Sequence, residues 1–123
     1  MGKYGNKTVV SNGVRFDSKR EEKRWKDLLL LQEAGVIRDL KRQVKFELVP
    51  TQYESYERKS KKGKLLKPGV YAVEKSVNYY ADFTYYTQDG EYVVEDAKGK
   101  RTQAYIIKRK LMLYIHHIKI REV

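Results

Sequence analysis

Two apolar, strand-like runs, residues 77–86 and 91–98, are joined by the triplet Gln88-Asp89-Gly90. Both runs are rich in tyrosine and valine, which favour strands, and the triplet is typical of a tight hairpin turn. We therefore expect an antiparallel strand pair at the centre of the fold. Charged residues within such a pair are unexpected, because a charge in a sheet is costly unless it is paired or binds an ion.

Three of the charged residues in these runs are Asp82, Asp96 and Lys98. Because side chains alternate along a strand, Asp96 and Lys98 share a face with Val94, while Glu95 points to the other face. Pairing through the turn places residue 95 or 96 opposite Asp82. Two carboxylates about 4 Å apart repel each other by on the order of 4 kcal/mol at an effective dielectric constant near 20. A divalent cation between them would remove that repulsion.

Oxygen ligands, with no cysteine in the chain and no histidine nearby in sequence, favour Mg²⁺ or Mn²⁺ over zinc. The ammonium group of Lys98 could then hold an attacking water and offset the charge that develops on a phosphate. The competing interpretation is an ordinary surface ion pair between Asp96 and Lys98, since the D-x-K spacing is short and frequent. Asp82 is expected to share its face of the strand with Tyr80 and Thr84.

The spacing of apolar residues predicts a first helix that is capped by Asp17 or Ser18 and runs to about Ala34, with Gly35 as its stop. Glu21 falls on the apolar stripe of this helix, so it is a candidate third carboxylate of the site. The competing interpretation of Glu21 is a capping box, in which its side chain bonds back to the start of the helix.

The remaining pattern predicts, in chain order, a hairpin around Asn12-Gly13, a strand over 43–49 that follows Val36-Ile37 and stops at Pro50, a second helix over about 103–115, and a final strand at 118–120. The second helix should bury one stripe, formed by Ala104, Ile107, Leu111, Tyr114 and Ile115. Helix, three or four strands, helix and strand indicate one α+β domain over residues 1–123, with a mixed central sheet covered by helices.

The net charge of +11 and the isoelectric point near 9.7 indicate a polyanionic partner, first of all nucleic acid. Residues 51–76 form a basic insertion that we interpret as a long β-hairpin tip or a mobile loop. Candidate phosphate contacts are Arg58, Lys59, Lys61, Lys62, Lys64 and Lys67 in this insertion, and Lys100, Arg101 and Lys108 after the second charged run. The tyrosines at 79, 80, 85 and 86 could stack on bases, although cross-strand packing is the more common role.

The absence of cysteine suits a reducing cytosol. No apolar run approaches the length of a membrane span, so no membrane partner is expected. His116 and His117 are expected at the end of the second helix, remote from the carboxylates in the fold, and are interpreted as structural.

The motifs resemble the PD-(D/E)xK nuclease superfamily, whose core has the order α-β-β-β-α-β. Ala81-Asp82 corresponds to its Pro-Asp step, and Asp96-Ala97-Lys98 to its (D/E)-x-K step. The chain is closer still to small phage proteins of unknown function or Holliday junction resolvase-like endonucleases. The likeness covers nearly everything except the basic insertion, in the segments KYGNK, RFDSKREEKRW, LQEAGVIRDLKRQVKFEL, YYADFTYY and VVEDAKGKRT.

This resemblance implies Mg²⁺-dependent hydrolysis of DNA phosphodiester bonds. It implies that Asp82, Asp96 and the backbone carbonyl of Ala97 are metal ligands, that Lys98 is the catalytic lysine and that Glu21 completes the metal shell. Gln43 occupies a position where glutamine recurs in such proteins, although a plain strand-edge amide is an equally good interpretation. Glu95 would replace Asp96 if the strand register slipped by one residue.

The resulting hypothesis is a metal-dependent DNA endonuclease of a phage or prophage, acting in the cytoplasm of a bacterial host. The resemblance favours a branched substrate, and two symmetrical cuts in a junction imply a homodimer. The alternatives are a non-catalytic nucleic-acid-binding protein on the same scaffold, and an enzyme that nicks linear duplex DNA.

Overall fold

The computed structural model describes residues 8–123. The KYGNK segment at 3–7 therefore lies outside the described residues. The elements are, in chain order, β1 (Val9–Ser11), β2 (Val14–Phe16), α1 (Lys19–Glu33), β3 (Ile37–Val49), β4 (Gln52–Lys59), β5 (Leu65–Glu74), β6 (Val77–Thr87), β7 (Tyr92–Asp96), α2 (Gln103–His116) and β8 (Arg121–Glu122).

The central sheet has four strands in the order β3-β6-β7-β8. β3, β6 and β7 are antiparallel, whereas β8 runs parallel to β7, so the sheet is mixed. One helix packs on each face. Leu28 of α1 packs with Phe83 and Val93, and Met112 of α2 packs with Val94 in a second cluster. The expected α+β fold with a mixed sheet and two helices is confirmed.

The first helix follows its sequence signals closely. The Ser18 hydroxyl oxygen accepts a hydrogen bond of 3.1 Å from the backbone N–H of Glu21, and Ala34 forms the C-terminal cap. Gly35 follows with a φ of +77°, a left-handed conformation that glycine adopts without strain. The aromatic ring of Trp25 stacks on that of Phe83, with centroids 6.0 Å apart, which fixes α1 against the sheet.

The second helix begins after its cap Thr102 as predicted, but most of the predicted buried stripe is wrong. Leu111 of the predicted stripe packs against the core, but the buried residues are Tyr105 and Met112. Ile107 and Tyr114 are 55% and 81% exposed. Apolar residues surround most of this helix, so their spacing does not define a single stripe. Burial of the tyrosine ring and of Met112 decides which side faces the sheet.

The final strand is displaced from its predicted position at 118–120. The residues that pair with β7 are Arg121 and Glu122, and the backbone N–H of Val123 adds a hydrogen bond of 3.0 Å to the carbonyl of Asp96. Ile120 is buried instead in the cluster under α2. The apolar residues after the helix are therefore used for packing before the chain reaches the sheet edge.

Residues 51–76 adopt the hairpin that was one of the two interpretations, as the separate two-stranded sheet β4–β5. The predicted hairpin around Asn12-Gly13 is present as β1–β2. β3 is longer than its predicted core at 43–49 and begins at Ile37. Neither helix in the described part of the chain is long and apolar enough to cross a bilayer.

Candidate functional site

Asp82 and Asp96 meet where β6 and β7 lie side by side. Phe83 pairs with Glu95, so one further step along the hairpin brings Asp82 opposite Asp96. Oδ2 of Asp82 accepts a hydrogen bond of 2.8 Å from the backbone N–H of Ala97. The two carboxyl groups are close enough for the charge of Asp96 to raise the pKa of Asp82. The hairpin register thus brings together the two acids that the sequence singled out.

Burial makes it costly to ionise both members of this pair. Burial, followed by the negative charges of Asp96 and Glu21, raises the pKa of Asp82 to about 7, and the Ala97 N–H and Lys98 oppose this shift. Burial also raises the pKa of Asp96, against the lowering effects of the Tyr79 hydroxyl and Lys98. Near neutral pH the pair therefore readily holds a proton, and a bound cation would have to displace that proton.

Lys98 places its charge beside the same pair. Its Nζ lies 3.7 Å from Oδ1 of Asp96 and 4.8 Å from the centre of the Tyr105 ring. The distance to Asp96 is that of an ion pair and is too long for a hydrogen bond. Among the described residues nothing donates a hydrogen bond to this buried Oδ1. The site thus contains an acceptor that a cation or a water would satisfy.

Glu21 is linked to the pair through Gln43. Nε2 of Gln43 donates to Oε1 of Glu21 over 3.2 Å and to Oδ1 of Asp82 over 3.3 Å. Burial raises the pKa of Glu21, as does the charge of Asp17, whereas Arg42, whose Nη2 lies 3.3 Å from Oε1, opposes the shift. The amide of Gln43 therefore holds two acidic side chains in one arrangement.

The two interpretations of Glu21 both have a counterpart in the structure. Its backbone N–H bonds to the cap Ser18, the backbone of Asp17 lowers the pKa of its carboxyl group, and that carboxylate accepts a hydrogen bond from Gln43. Gln43 itself has a φ of +50°, a left-handed conformation that costs a residue other than glycine about 1–3 kcal/mol. Such strain concentrates at functional sites.

Glu95 points away from Asp96, to the face of the sheet covered by α1. Its two carboxylate oxygens accept hydrogen bonds from Nε and Nη2 of Arg24 over 2.8 and 2.7 Å, and it also accepts the Tyr85 hydroxyl. A register slip that exchanged the two acids would leave the guanidinium without its partner. Glu95 is therefore a structural residue behind the site.

The alternation of side chains between the two faces of the sheet reverses at Asp82 in β6. Tyr79 and Ala81, which precede it, pack under α2, whereas Phe83 and Tyr85, which follow it, pack under α1. The prediction that Asp82 shares a face with both Tyr80 and Thr84 is therefore wrong. Thr84 pairs with Val94 on the α2 side, whereas Tyr80 lies on the other. The left-handed residue Gln43 on the neighbouring strand marks the same irregularity.

Two cavities of about 190 and 300 Å³ open at the pair, and both are lined by Asp17, Asp82, Lys98 and Thr102. Of the predicted phosphate contacts, Lys100 borders the smaller cavity and Lys108 the larger. Arg101 instead forms an ion pair of 2.8 Å with Glu122 and, together with hydrogen bonds from Tyr105 and Arg109, lowers the pKa of Glu122 to about 2. Lys59, Lys61, Lys62 and Lys64 are on the β4–β5 hairpin, away from the cavities.

A protein family matches residues 1–122, and its description is "Protein of unknown function (DUF1064)". The chain belongs to the DUF1064 family. No curated protein and no solved structure matches the chain. The description assigns no activity to DUF1064 proteins, so the chemistry of this member has to be argued from its own residues.

Sequence reasoning missed two residues at the site of this DUF1064 protein. The buried hydroxyl of Tyr79 donates a hydrogen bond of 2.6 Å to Oδ2 of Asp96, and the Tyr105 ring lies beneath Lys98. A tyrosine rather than a phenylalanine at a buried position signals a hydrogen-bond partner. That signal was present for Tyr79, but the sequence did not show that Asp96 was the partner.

The donor set suits a hard cation, although it is small. Among residues 8–123 no group of three or more acidic or histidine side chains is arranged to hold a metal ion, since Glu21 reaches Asp82 only through Gln43. Asp82 and Asp96 remain as carboxylate donors, and Ala97, whose carbonyl the resemblance adds to them, lines the smaller cavity. Mg²⁺ is commonly bound by one or two carboxylates while it keeps several waters, so this set fits it.

Proposed function

We propose that this DUF1064 protein is a Mg²⁺- or Mn²⁺-dependent endonuclease that hydrolyses DNA phosphodiester bonds. The observation that carries the proposal is the buried Asp82–Asp96 pair with the Lys98 ammonium 3.7 Å from Asp96. The order α1-β3-β6-β7-α2-β8 supports it, because it matches the α-β-β-β-α-β core of the PD-(D/E)xK superfamily. We assign the chain to that superfamily and its restriction-endonuclease-like fold as part of the proposal.

Each residue of the site has a role in this reaction. Asp82, Asp96 and the Ala97 carbonyl would hold the cation, which when bound supplies a more acidic water and stabilises negative charge on the phosphate. Lys98 orients the attacking water and offsets the charge that develops on the phosphate oxygens. Glu21, which is linked to Asp82 through Gln43, would orient water beside the pair.

The substrate follows from charge. The net charge of +11 favours a polyanion, and Lys100 and Lys108 border the cavities at the carboxylate pair. We propose branched DNA such as a four-way junction, which two copies of the chain would cut symmetrically as a homodimer. The proposed setting is phage or prophage recombination in the cytoplasm of a bacterial host.

The decisive experiment compares four-way, flapped and linear DNA of the same sequence, incubated with Mg²⁺, with Mn²⁺ or with EDTA. Cleavage should require the cation and should favour the four-way substrate. Asp82→Asn should abolish cleavage while DNA binding remains, and the control Asp89→Asn in the exposed β6–β7 turn should cleave normally. Cleavage that survives in Asp82→Asn, or in EDTA, would overturn the proposal.

A nicking enzyme for linear duplex DNA is the alternative activity on the same site, and cleavage of the linear substrate alone would identify it. A non-catalytic DNA-binding protein is favoured by one observation, the lack of a third acidic side chain in direct contact with the pair in the described part of the chain. Binding without cleavage under every cation condition would identify that role.

A further inference from the structure

The β4–β5 hairpin (the ribbon, residues 52–74) stands apart from the rest of the fold. It forms a sheet of its own, and every residue of β4 and every residue of β5 except Gly69 is exposed. A two-stranded ribbon is at best marginally stable alone in water. A ribbon with both faces exposed therefore needs stabilising contacts between its own residues, and its exposed faces are available to a ligand.

The internal support comes from aromatic packing across the two strands. The ring of Tyr56 lies directly over Gly69, where a β-carbon would overlap it. The Tyr71 ring is 6.0 Å away, and its hydroxyl donates a hydrogen bond of 2.8 Å to Glu54. These contacts hold the ribbon's shape without burying either face.

The tip of the ribbon is also ordered by its own hydrogen bonds. The backbone N–H of Ser60 donates to the Lys64 carbonyl over 2.8 Å, and the N–H of Gly63 donates to the Ser60 carbonyl over 2.9 Å. Lys61 and Lys62 occupy the corner of this turn. The turn therefore presents their ammonium groups outwards from a defined backbone.

Charge on the ribbon is concentrated at this end. Residues 58–67 contain Arg58 and five lysines but no acidic residue, whereas the acidic residues of the ribbon lie outside that stretch. Within the described residues, Lys59 is the tip cation that pairs with a carboxylate, Glu57, at 3.3 Å. The remaining tip cations are available to phosphates.

We infer that the ribbon enters the major groove of duplex DNA that flanks the cleaved bond, which rests on the proposed function. Its two strands are about 4.8 Å apart, and the major groove of B-form DNA is about 12 Å wide and admits such a ribbon. The major groove of A-form RNA is too narrow for it. Charge complementarity and width together select B-form DNA.

The length of the ribbon sets how far from the cut it reaches. About 16 residues of nearly continuous strand lie between Asp82 and Leu66, and at about 3.3 Å per residue they span at most about 50 Å. That distance corresponds to about 15 base pairs at 3.4 Å each. The tip therefore contacts duplex DNA well outside the site that holds the scissile phosphate.

The test compares a tip variant, Lys61→Ser/Lys62→Ser/Lys64→Ser/Lys67→Ser, with a control that loses the same charge elsewhere, Lys23→Ser/Lys26→Ser/Lys110→Ser/Lys119→Ser. Affinity is measured in EDTA, so that no cleavage occurs, for DNA duplexes of about 12 and 40 base pairs and for an RNA duplex of the longer length. We expect the tip variant to lose at least tenfold in affinity for the longer DNA and the slope of log affinity against log salt to become shallower by about 3 to 4.

Wild type and control should have a higher affinity per site for the longer DNA than for the shorter one, because the body of the protein and the ribbon then bind together. The tip variant should bind both DNA lengths with the same affinity per site. Equal affinity of tip variant and control would overturn the inference. An equal loss of affinity of the tip variant for RNA and for DNA would also overturn the inference, since it would indicate phosphate contacts without entry into the groove. A tip variant that becomes monomeric where wild type and control are dimers in light scattering would show that the ribbon binds a second copy instead. If no DNA is cleaved but the tip effect persists, the proposed function fails and the ribbon inference stands.

Discussion

The buried hydroxyl of Tyr79 donates a hydrogen bond of 2.6 Å to Oδ2 of Asp96. This bond favours the ionised carboxylate and lowers the pKa of Asp96 against the effect of burial. It also leaves Oδ1, the oxygen without a hydrogen-bond donor among the described residues, on the side of Lys98. One hydrogen bond thus sets both the charge and the orientation of a proposed cation ligand.

Tyr79→Phe should therefore weaken cation binding without unfolding the protein. Loss of a group that orients a ligand typically reduces metal affinity by roughly 10–100-fold. The pKa of Asp96 should also rise, so the loss in affinity should be greatest at low pH. Mg²⁺ and Mn²⁺ titrations by calorimetry between pH 6 and 8 measure both effects. Tyr53→Phe, on the exposed β4–β5 hairpin, is the control, and equal affinities of the two variants would contradict this role.

The stability of the metal-free protein should depend on pH through Asp82. Burial raises the pKa of this carboxyl from 3.8 to about 7, so the folded state binds the proton more tightly than the unfolded chain. The resulting stabilisation is complete below about pH 4 and is lost as the pH rises to 7, with a change on the order of 4 kcal/mol.

Asp82→Asn should remove this dependence. Its free energy of unfolding in EDTA should exceed that of wild type at pH 8, and the difference should shrink towards pH 5. Chemical denaturation at several pH values measures the gap, and Asp89→Asn should follow wild type. A gap that is the same at every pH would show that Asp82 is not the titrating group.

Lys98→Met should separate catalysis from cation binding. The substitution keeps an unbranched side chain but removes the charge that lies 3.7 Å from Asp96 and over the Tyr105 ring. We expect a loss of about 10²–10³-fold in kcat, the usual effect of removing one group that stabilises developing charge. Cation affinity should be unchanged or higher, because a competing positive charge is gone. A kcat within threefold of that of Lys110→Met would argue against a catalytic lysine.

Relationships between residues that are close in sequence, within one hairpin or at one helix end, were predictable from the sequence. The turn at Gln88-Asp89-Gly90 restricted the residue opposite Asp82 to 95 or 96, and a one-residue slip would move every side chain to the wrong face. The face that Asp96 shares with Lys98 favoured Asp96 over Glu95, and the observed register places Asp96 opposite Asp82. The cap at Ser18 and the stop at Gly35 were equally local.

Relationships that depend on tertiary packing were not predictable. The left-handed backbone at Gln43 and the reversal of faces at Asp82 arise where β3 meets β6, two strands separated by the whole ribbon. Spacing alone also could not orient α2, because its apolar residues surround the helix. The position of β8 followed from the packing of Ile120, which the strand pattern did not reveal.

Glu95 should be structural, and a double-mutant cycle with Arg24 tests this. Glu95 is fully buried, so Glu95→Met leaves a guanidinium without its partner and should cost about 3 kcal/mol of unfolding free energy. The double variant Arg24→Met/Glu95→Met should lose clearly less than the sum of the two single variants. Additive losses, measured by urea denaturation, would mean that the two side chains act independently.

The observed orientation of α2 predicts opposite outcomes for two of its apolar residues. Met112 is fully buried between the helix and the sheet, so Met112→Ala should lower the free energy of unfolding by about 2–5 kcal/mol. Tyr114 is 81% exposed, so Tyr114→Ser should change it by no more than about 0.5 kcal/mol. Urea denaturation of both variants at a concentration where the chain is monomeric decides the matter. If the buried stripe predicted from spacing were correct, Tyr114→Ser would be the variant that loses free energy of unfolding. The side of α2 on which Tyr105 contacts Lys98 would then have to be a different one.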